Sequence, residues 1–137
     1  MFQKIMAPID LAHADKLGKA LDVAADMAKY YKAELVYVGA TVPQPTKIAH
    51  NPEEYAHKLA TFAEESGRAH GVSASAETII DHDPTADLDD RLLEKAKALG
   101  VDLVVMASHI PGIADHWWPS HGGSMARHAD FSVFIVR

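Results

Sequence analysis

The sequence has no cysteine among its 137 residues. A disulfide framework, a thiolate nucleophile and a Cys-ligated zinc site are therefore excluded. It also lacks a cationic surplus. Thirteen Lys and Arg stand against nineteen Asp and Glu, a formal net charge of −6. Non-specific nucleic-acid binding rests on a basic surface, so no nucleic-acid partner is expected. No apolar run approaches the roughly 20 residues that span a bilayer, which argues against membrane insertion. The N-terminus, MFQKIMAPID, runs directly into a strand pattern. It carries no signal-peptide core or cleavage site, so a cytoplasmic protein is expected. There is no G-x-S-x-G nucleophile elbow and no pair of histidines at i, i+4 on a helix.

What is present is a hydrophobic share of 48%. At this length it fits one α/β domain over residues 1–137 with one core. Phe2 to Ile9 reads as a buried strand, with Pro8 placed where a strand frays into a loop. Asp15 is the expected N-cap of a helix from Lys16 to Tyr31. In that helix Leu17, Ala20, Leu21, Ala24, Met27, Ala28 and Tyr31 form one apolar stripe. Glu34 to Ala40 is a second strand. A proline-bearing loop from Thr41 to Pro52 follows, long enough to act as a lid.

A second helix is expected from Pro52 to His70, closed by Gly71, with Tyr55, Leu59, Phe62 and Ala63 facing inward. Ser73 to Ile80 is a third strand. Thr85 then caps a helix from Ala86 to Leu99, with Leu88, Leu92 or Leu93, Ala96 and Leu99 on its inner face. Val101 to Ala107 is a fourth strand, Ser120 to Ala129 a short helix and Phe131 to Val136 the last strand.

Strands alternating with helices, and strands that are nearly continuous apolar runs, imply a five-stranded parallel sheet with helices on both faces, a doubly wound α/β fold. Ligands of such sheets bind outside the carboxyl ends of the strands, where the winding reverses. Those ends carry Asp10, the Gly39-Ala40 turn, Asp81 to Pro84 and the loop from Ser108 to Gly123. In the last of these, a strand leads through a small-residue loop into a helix N-terminus, a layout suited to an anion.

KIMAPID, the proline-rich loop, the Asp83-Pro84 turn, VDLVVMASH and RHADFSVFIVR together resemble the universal stress protein family over the whole chain. The resemblance implies strand order 3-2-1-4-5, a homodimer paired through the C-terminal strand 131–137, and a small regulatory or sensor protein. It also implies a site for an adenine nucleotide (AMP, ADP or ATP) at the carboxyl ends of strands one and four. Asp10 would hydrogen-bond the ribose. Backbone near Val38 would meet the adenine, and Ala7 and Pro8 would line its pocket.

Many members bind ATP through G-x2-G-x9-G-[ST] after strand four. Here Ala107, Ile110 and Pro119-Ser120 occupy those places, and the spacing between Ile110 and Pro119 is one residue short. One sub-branch reads Ala-Ser-His-x-Pro at the loop start, as here, but Pro119 replaces its glycine.

Glycine permits close backbone approach to phosphate, and proline has no N–H to donate. These losses argue against a triphosphate and favour AMP or ADP. Ala107, Ser108, His109, Ser120, His121, Gly122 and Gly123 remain as candidate contacts. Trp117 and Trp118 suit a pocket mouth or an interface. Nine histidines invite a metal reading, and Asp10, Asp81 and Asp83 raise Mg²⁺. Turn and capping roles are the plainer explanation of the acids. With no catalytic constellation, at most slow ATP hydrolysis is expected. The alternatives are a nucleotide-free dimeric interaction protein, with a partner the sequence does not name, and a weak phosphate-ester hydrolase.

Overall fold

The computed structural model describes residues 1–82, 88–108 and 121–137, with residues 121–124 by backbone alone. Five strands form one sheet: β1 (Lys4–Pro8), β2 (Glu34–Thr41), β3 (Ala74–Ile80), β4 (Leu103–Ala107) and β5 (Ser132–Val136). All neighbours are parallel, in the order β3-β2-β1-β4-β5. The expected fold class and strand order both hold. The helices are α1 (Gly18–Tyr31), α2 (Pro52–His70), α3 (Leu88–Leu99) and α4 (His121–His128).

Alternation along the strands builds two cores. Ile5, Ala7, Leu35, Tyr37 and Val105 face α1 and α2, meeting Ala24, Ala28, Leu59 and Ala63. Met6, Val36, Val38, Val104 and Met106 face the other way, onto Leu92 and Ala96 of α3 and Met125 of α4. Successive side chains of a strand point to opposite faces, so each central strand serves both layers and must be apolar throughout. The N-terminal end of the sheet is tied by Asp102, whose carboxylate accepts from the backbone N–H of Gln3 (2.9 Å) and Lys4 (3.1 Å).

The apolar stripe of α1 packs as expected, but its start differs. Asp15 caps nothing. The chain turns into a 3-10 helix over Leu11–Leu17 directly after β1, and α1 begins at Gly18. Asp10 is the N-cap of that turn, its carboxylate accepting from Ala12 N–H at 3.0 Å. The acid nearest to the strand end reaches the free amides first, which removes Asp15 from that role.

α2 matches its expected limits. Asn51 caps it by accepting from Glu54 N–H at 2.8 Å, Pro52 sits in the first turn, and Gly71 closes it at φ 69°. The loop before it is stitched down: Thr46 N–H donates to Ala49 C=O at 2.8 Å, and Lys58 of α2 reaches Ile48 C=O. The expected cap and first residues of α3, Thr85 and Ala86, lie outside the described residues.

Candidate functional site

β1 is where the winding reverses: β2 and β3 lie to one side, β4 and β5 to the other. Its two ladders are unequal. Pairing with β2 continues to Pro8↔Val38, whereas pairing with β4 stops at Met6↔Val104. β4 itself goes on pairing with β5 as far as Ala107↔Val136, and Ser108 N–H then donates to Val136 C=O at 2.8 Å.

Pro8 accounts for the early stop. Backbone groups of successive strand residues point to alternate neighbours. Ile9 N–H donates to Val38 C=O on β2, at 2.9 Å. The position before it therefore faces β4, and proline has no N–H to offer there. The register between β1 and β4 therefore ends at Met6↔Val104, short of the last residues of both strands. Ala7, Pro8 and Asp10 lie at the carboxyl end of β1, and Ala107 and Ser108 at that of β4.

Asp10 lies two residues past the end of β1 and is only 8% exposed. Besides the Ala12 amide, its carboxylate holds His13, whose Nδ1 lies 2.7 Å from Oδ2. His13 N–H also donates to Asp10 C=O, at 3.0 Å. Its backbone leaves the helical range at φ −129°, ψ 24°, a kink inside the 3-10 turn. The His13 side chain is 37% exposed.

Tyr55 reaches the same end of the sheet from α2. It is buried, and its hydroxyl meets no hydrogen-bond partner among the described residues. Burial pushes the phenol well above its ordinary value near 10, and the charge of Asp10 pushes the same way. The Leu11 backbone lies close enough to temper the rise, without reaching hydrogen-bond geometry. Gly39 makes room for this ring, since a Cβ there would fall 2.4 Å from Tyr55 Oη.

The site residues expected from the sequence divide into two groups. Ala7, Pro8, Asp10, Val38, Ala107 and Ser108 all lie at the carboxyl ends of β1, β2 and β4. Val38 is buried, and its carbonyl is the one that Ile9 uses. His121, Gly122 and Gly123 fall in the first turn of α4, where backbone N–H groups have no partner within a helix. His109 and Ser120 lie outside the described residues, as do Ile110, Trp117, Trp118 and Pro119.

Sequence reasoning missed His13 and Tyr55. The i, i+3 spacing of Asp10 and His13 was a usable signal, but only if a turn rather than a loop followed β1. Nothing local marks a tyrosine 45 residues away in sequence as a neighbour of Asp10. Asp81 sits at the end of β3, with Arg91 3.6 Å from its carboxylate. Among the described residues no three His, Cys, Asp or Glu side chains gather as a metal set. No helix among them is long and apolar enough to cross a membrane.

Universal stress protein G of Shigella flexneri is 25% identical over 148 residues, with both chains covered completely. A crystal structure of a universal stress protein in complex with cAMP superposes with a TM-score of 0.71 at 20% identity, covering 99% of this chain and 97% of that one. The universal stress protein from Archaeoglobus fulgidus in complex with dAMP gives a TM-score of 0.68 at 15% identity, covering 98% of each chain. These two structures bear on the fold alone. The model of the universal stress protein family matches residues 1–137, and the chain belongs to that family.

Proposed function

We propose that this chain is a small regulatory protein that binds an adenine nucleotide, AMP or ADP in preference to ATP, between the carboxyl ends of β1 and β4. The observation that carries this reading is the unequal pairing of β1, which ends against β4 at Met6↔Val104 but continues against β2 to Pro8↔Val38. A parallel sheet that parts at its switch point offers a crevice for a ligand at that point. The cAMP and dAMP complexes of structures with this fold agree with the choice of ligand.

In this reading Ala7, Pro8 and Val38 surround the base, and Asp10 marks the ribose end. Ala107 and Ser108 lie opposite, and His109 is the next proposed contact along the sequence. Ser120, His121, Gly122 and Gly123 offer amides and a hydroxyl to the phosphate. The loss of glycine at Ile110 and Pro119 disfavours a triphosphate and any Mg²⁺ it would bring. The protein works in the cytoplasm as a single domain over residues 1–137. It is a homodimer through the C-terminal strand 131–137, and signals by nucleotide occupancy rather than by turnover.

Equilibrium dialysis with labelled AMP, ADP and ATP tests this. Saturable retention of AMP and ADP below millimolar concentration, ahead of ATP, is the expected result. No retention of any of the three at millimolar ligand overturns the reading in favour of a nucleotide-free interaction protein.

A further inference from the structure

We propose that the outer edge of β3 is a docking surface for an extended acidic segment of another protein, which adds to the sheet as a sixth strand. This surface is separate from the carboxyl ends of β1 and β4 and does not depend on nucleotide binding.

The alternation of backbone groups defines what the edge offers. Leu35 N–H donates to Ser73 C=O and Asp81 N–H to Thr41 C=O, both between β2 and β3. Ser75, Glu77 and Ile79 follow the same alternation and point their backbone groups at β2. Ala74, Ala76, Thr78 and Ile80 therefore point theirs outward. Among the described residues β3 has no neighbour in the sheet other than β2. The strand is seven residues long, with no proline or lysine to blunt it. Its outward N–H and C=O groups are a template for one more strand.

Charge selects the occupant. A groove of about 320 Å³ lies beside this edge, lined by Thr78, Ile79 and Ile80 of β3 and by Arg91, Glu94 and Lys95 of α3. Two cations stand against one acid there, in a chain whose net charge is −6. Arg91 pairs with Asp81 at 3.6 Å and Lys95 with Glu77 at 3.9 Å, both beyond hydrogen-bond reach. Neither cation has a hydrogen bond to a described residue. Loose, partly exposed pairs of this kind contribute little and yield to a better-placed carboxylate.

A strand added to β3 sends alternate side chains to the α3 side, where Glu77 and Ile79 already point. Acidic residues at alternate positions would meet Arg91 and Lys95 there, one helical turn apart on α3. The other face lies beside Ala74 and Ala76 and suits apolar residues. A second copy of β3 fits less well. The antiparallel register that uses all four outward residues sets Glu77 directly opposite its own copy, an unfavourable like-charge pair.

Fluorescence anisotropy with a labelled Thr-Val-Glu-Val-Glu-Val-Thr peptide tests this. Saturable binding by the wild-type protein in the micromolar range is expected, weakened by salt. The peptide with lysine for both glutamates, and the peptide with proline as its central residue, are each expected to bind at least about tenfold more weakly. R91Q/K95Q is expected to weaken binding of the glutamate peptide about tenfold. T78P removes an outward N–H that β2 does not use. It is expected to keep the wild-type circular-dichroism spectrum and to lose binding to the same extent. If T78P unfolds, the proline peptide and R91Q/K95Q decide. No binding of the glutamate peptide by wild type, equal binding of the lysine or proline peptide, or undiminished binding by R91Q/K95Q overturns the proposal. So does self-association of the wild type that T78P abolishes, which would give the edge to a second copy.

Discussion

Tyr55 Oη occupies the space that a side chain at Gly39 would need. A Cβ on Gly39 would lie 2.4 Å from that oxygen, 3.1 Å from the ring's Cε1 and 3.2 Å from Leu59 Cδ2. Tyr55 and Leu59 are both buried on α2, so neither yields freely. G39A is expected to lower stability by about 1–3 kcal/mol through overpacking. Y55F alone is expected to be neutral within about 1 kcal/mol, because the hydroxyl has no hydrogen bond to lose. In the double variant the loss should be smaller than the sum of the two single changes, since phenylalanine removes the closest contact. Urea unfolding of the four proteins measures this. A fully additive cycle would rule out Gly39 and Tyr55 as the coupled pair.

Stability should fall at alkaline pH in a way that Tyr55 controls. Burial and the nearby Asp10 charge raise its folded-state pKa above the ordinary value near 10. Tyr37 is also raised, by burial first, against a hydrogen bond with Ser66 Oγ at 2.6 Å. Below pH 10 both states keep these protons and the difference contributes nothing. Above it the unfolded chain releases them first, binds fewer protons, and becomes favoured as pH rises. From pH 10 to 11 wild type is expected to lose about 1 kcal/mol more than Y55F, near the limit for one titrating group. Denaturant curves at pH 9, 10 and 11 provide the check, and parallel loss in the two proteins would contradict it.

Among the described residues β5 pairs only with β4 and leaves Phe134 46% and Ile135 39% exposed. Apolar side chains on an edge strand need a cover, and a second copy of the same strand supplies one. F134K is expected to raise the dimer dissociation constant by at least about tenfold, the effect of a lost interface anchor. Its circular-dichroism spectrum should stay that of wild type, because the site is already half open. Sedimentation velocity across a concentration series reads the change. A wild-type protein that remains monomeric at micromolar concentration would remove the dimer from the account.

The limits of legibility are clearest in the first forty residues. The stripe from Leu17 to Ala28 was readable because helical spacing is a local property, and the structure buries it. The start of that helix was not. Asp10 and Asp15 are equally good caps by composition, and the choice fell to the acid that already sat beside the free amides. Pro8 was recognisable as a strand terminator. Which neighbour it would fail depends on the alternate direction of backbone groups along β1, and so on which strands flank it. Of the remaining site, Ala7, Pro8, Asp10, Val38, Ala107 and Ser108 were legible as strand ends. The engagement of Asp10 by His13 was not, because it needs the 3-10 turn.

The sequence by itself determined the class of fold. Continuous apolar strands and helices with one apolar face leave few arrangements other than a covered parallel sheet. It also determined that no thiol chemistry occurs here, and that Pro8 offers no N–H to either neighbour of β1. The tertiary structure decided that β1 parts from β4 and not from β2, that Asp10 is occupied by His13, and that Tyr55 comes to rest against Gly39. Each of these depends on pairs of groups brought together by sheet pairing or by packing across layers. Such contacts are non-local, and neither the period nor the composition of a short stretch encodes them.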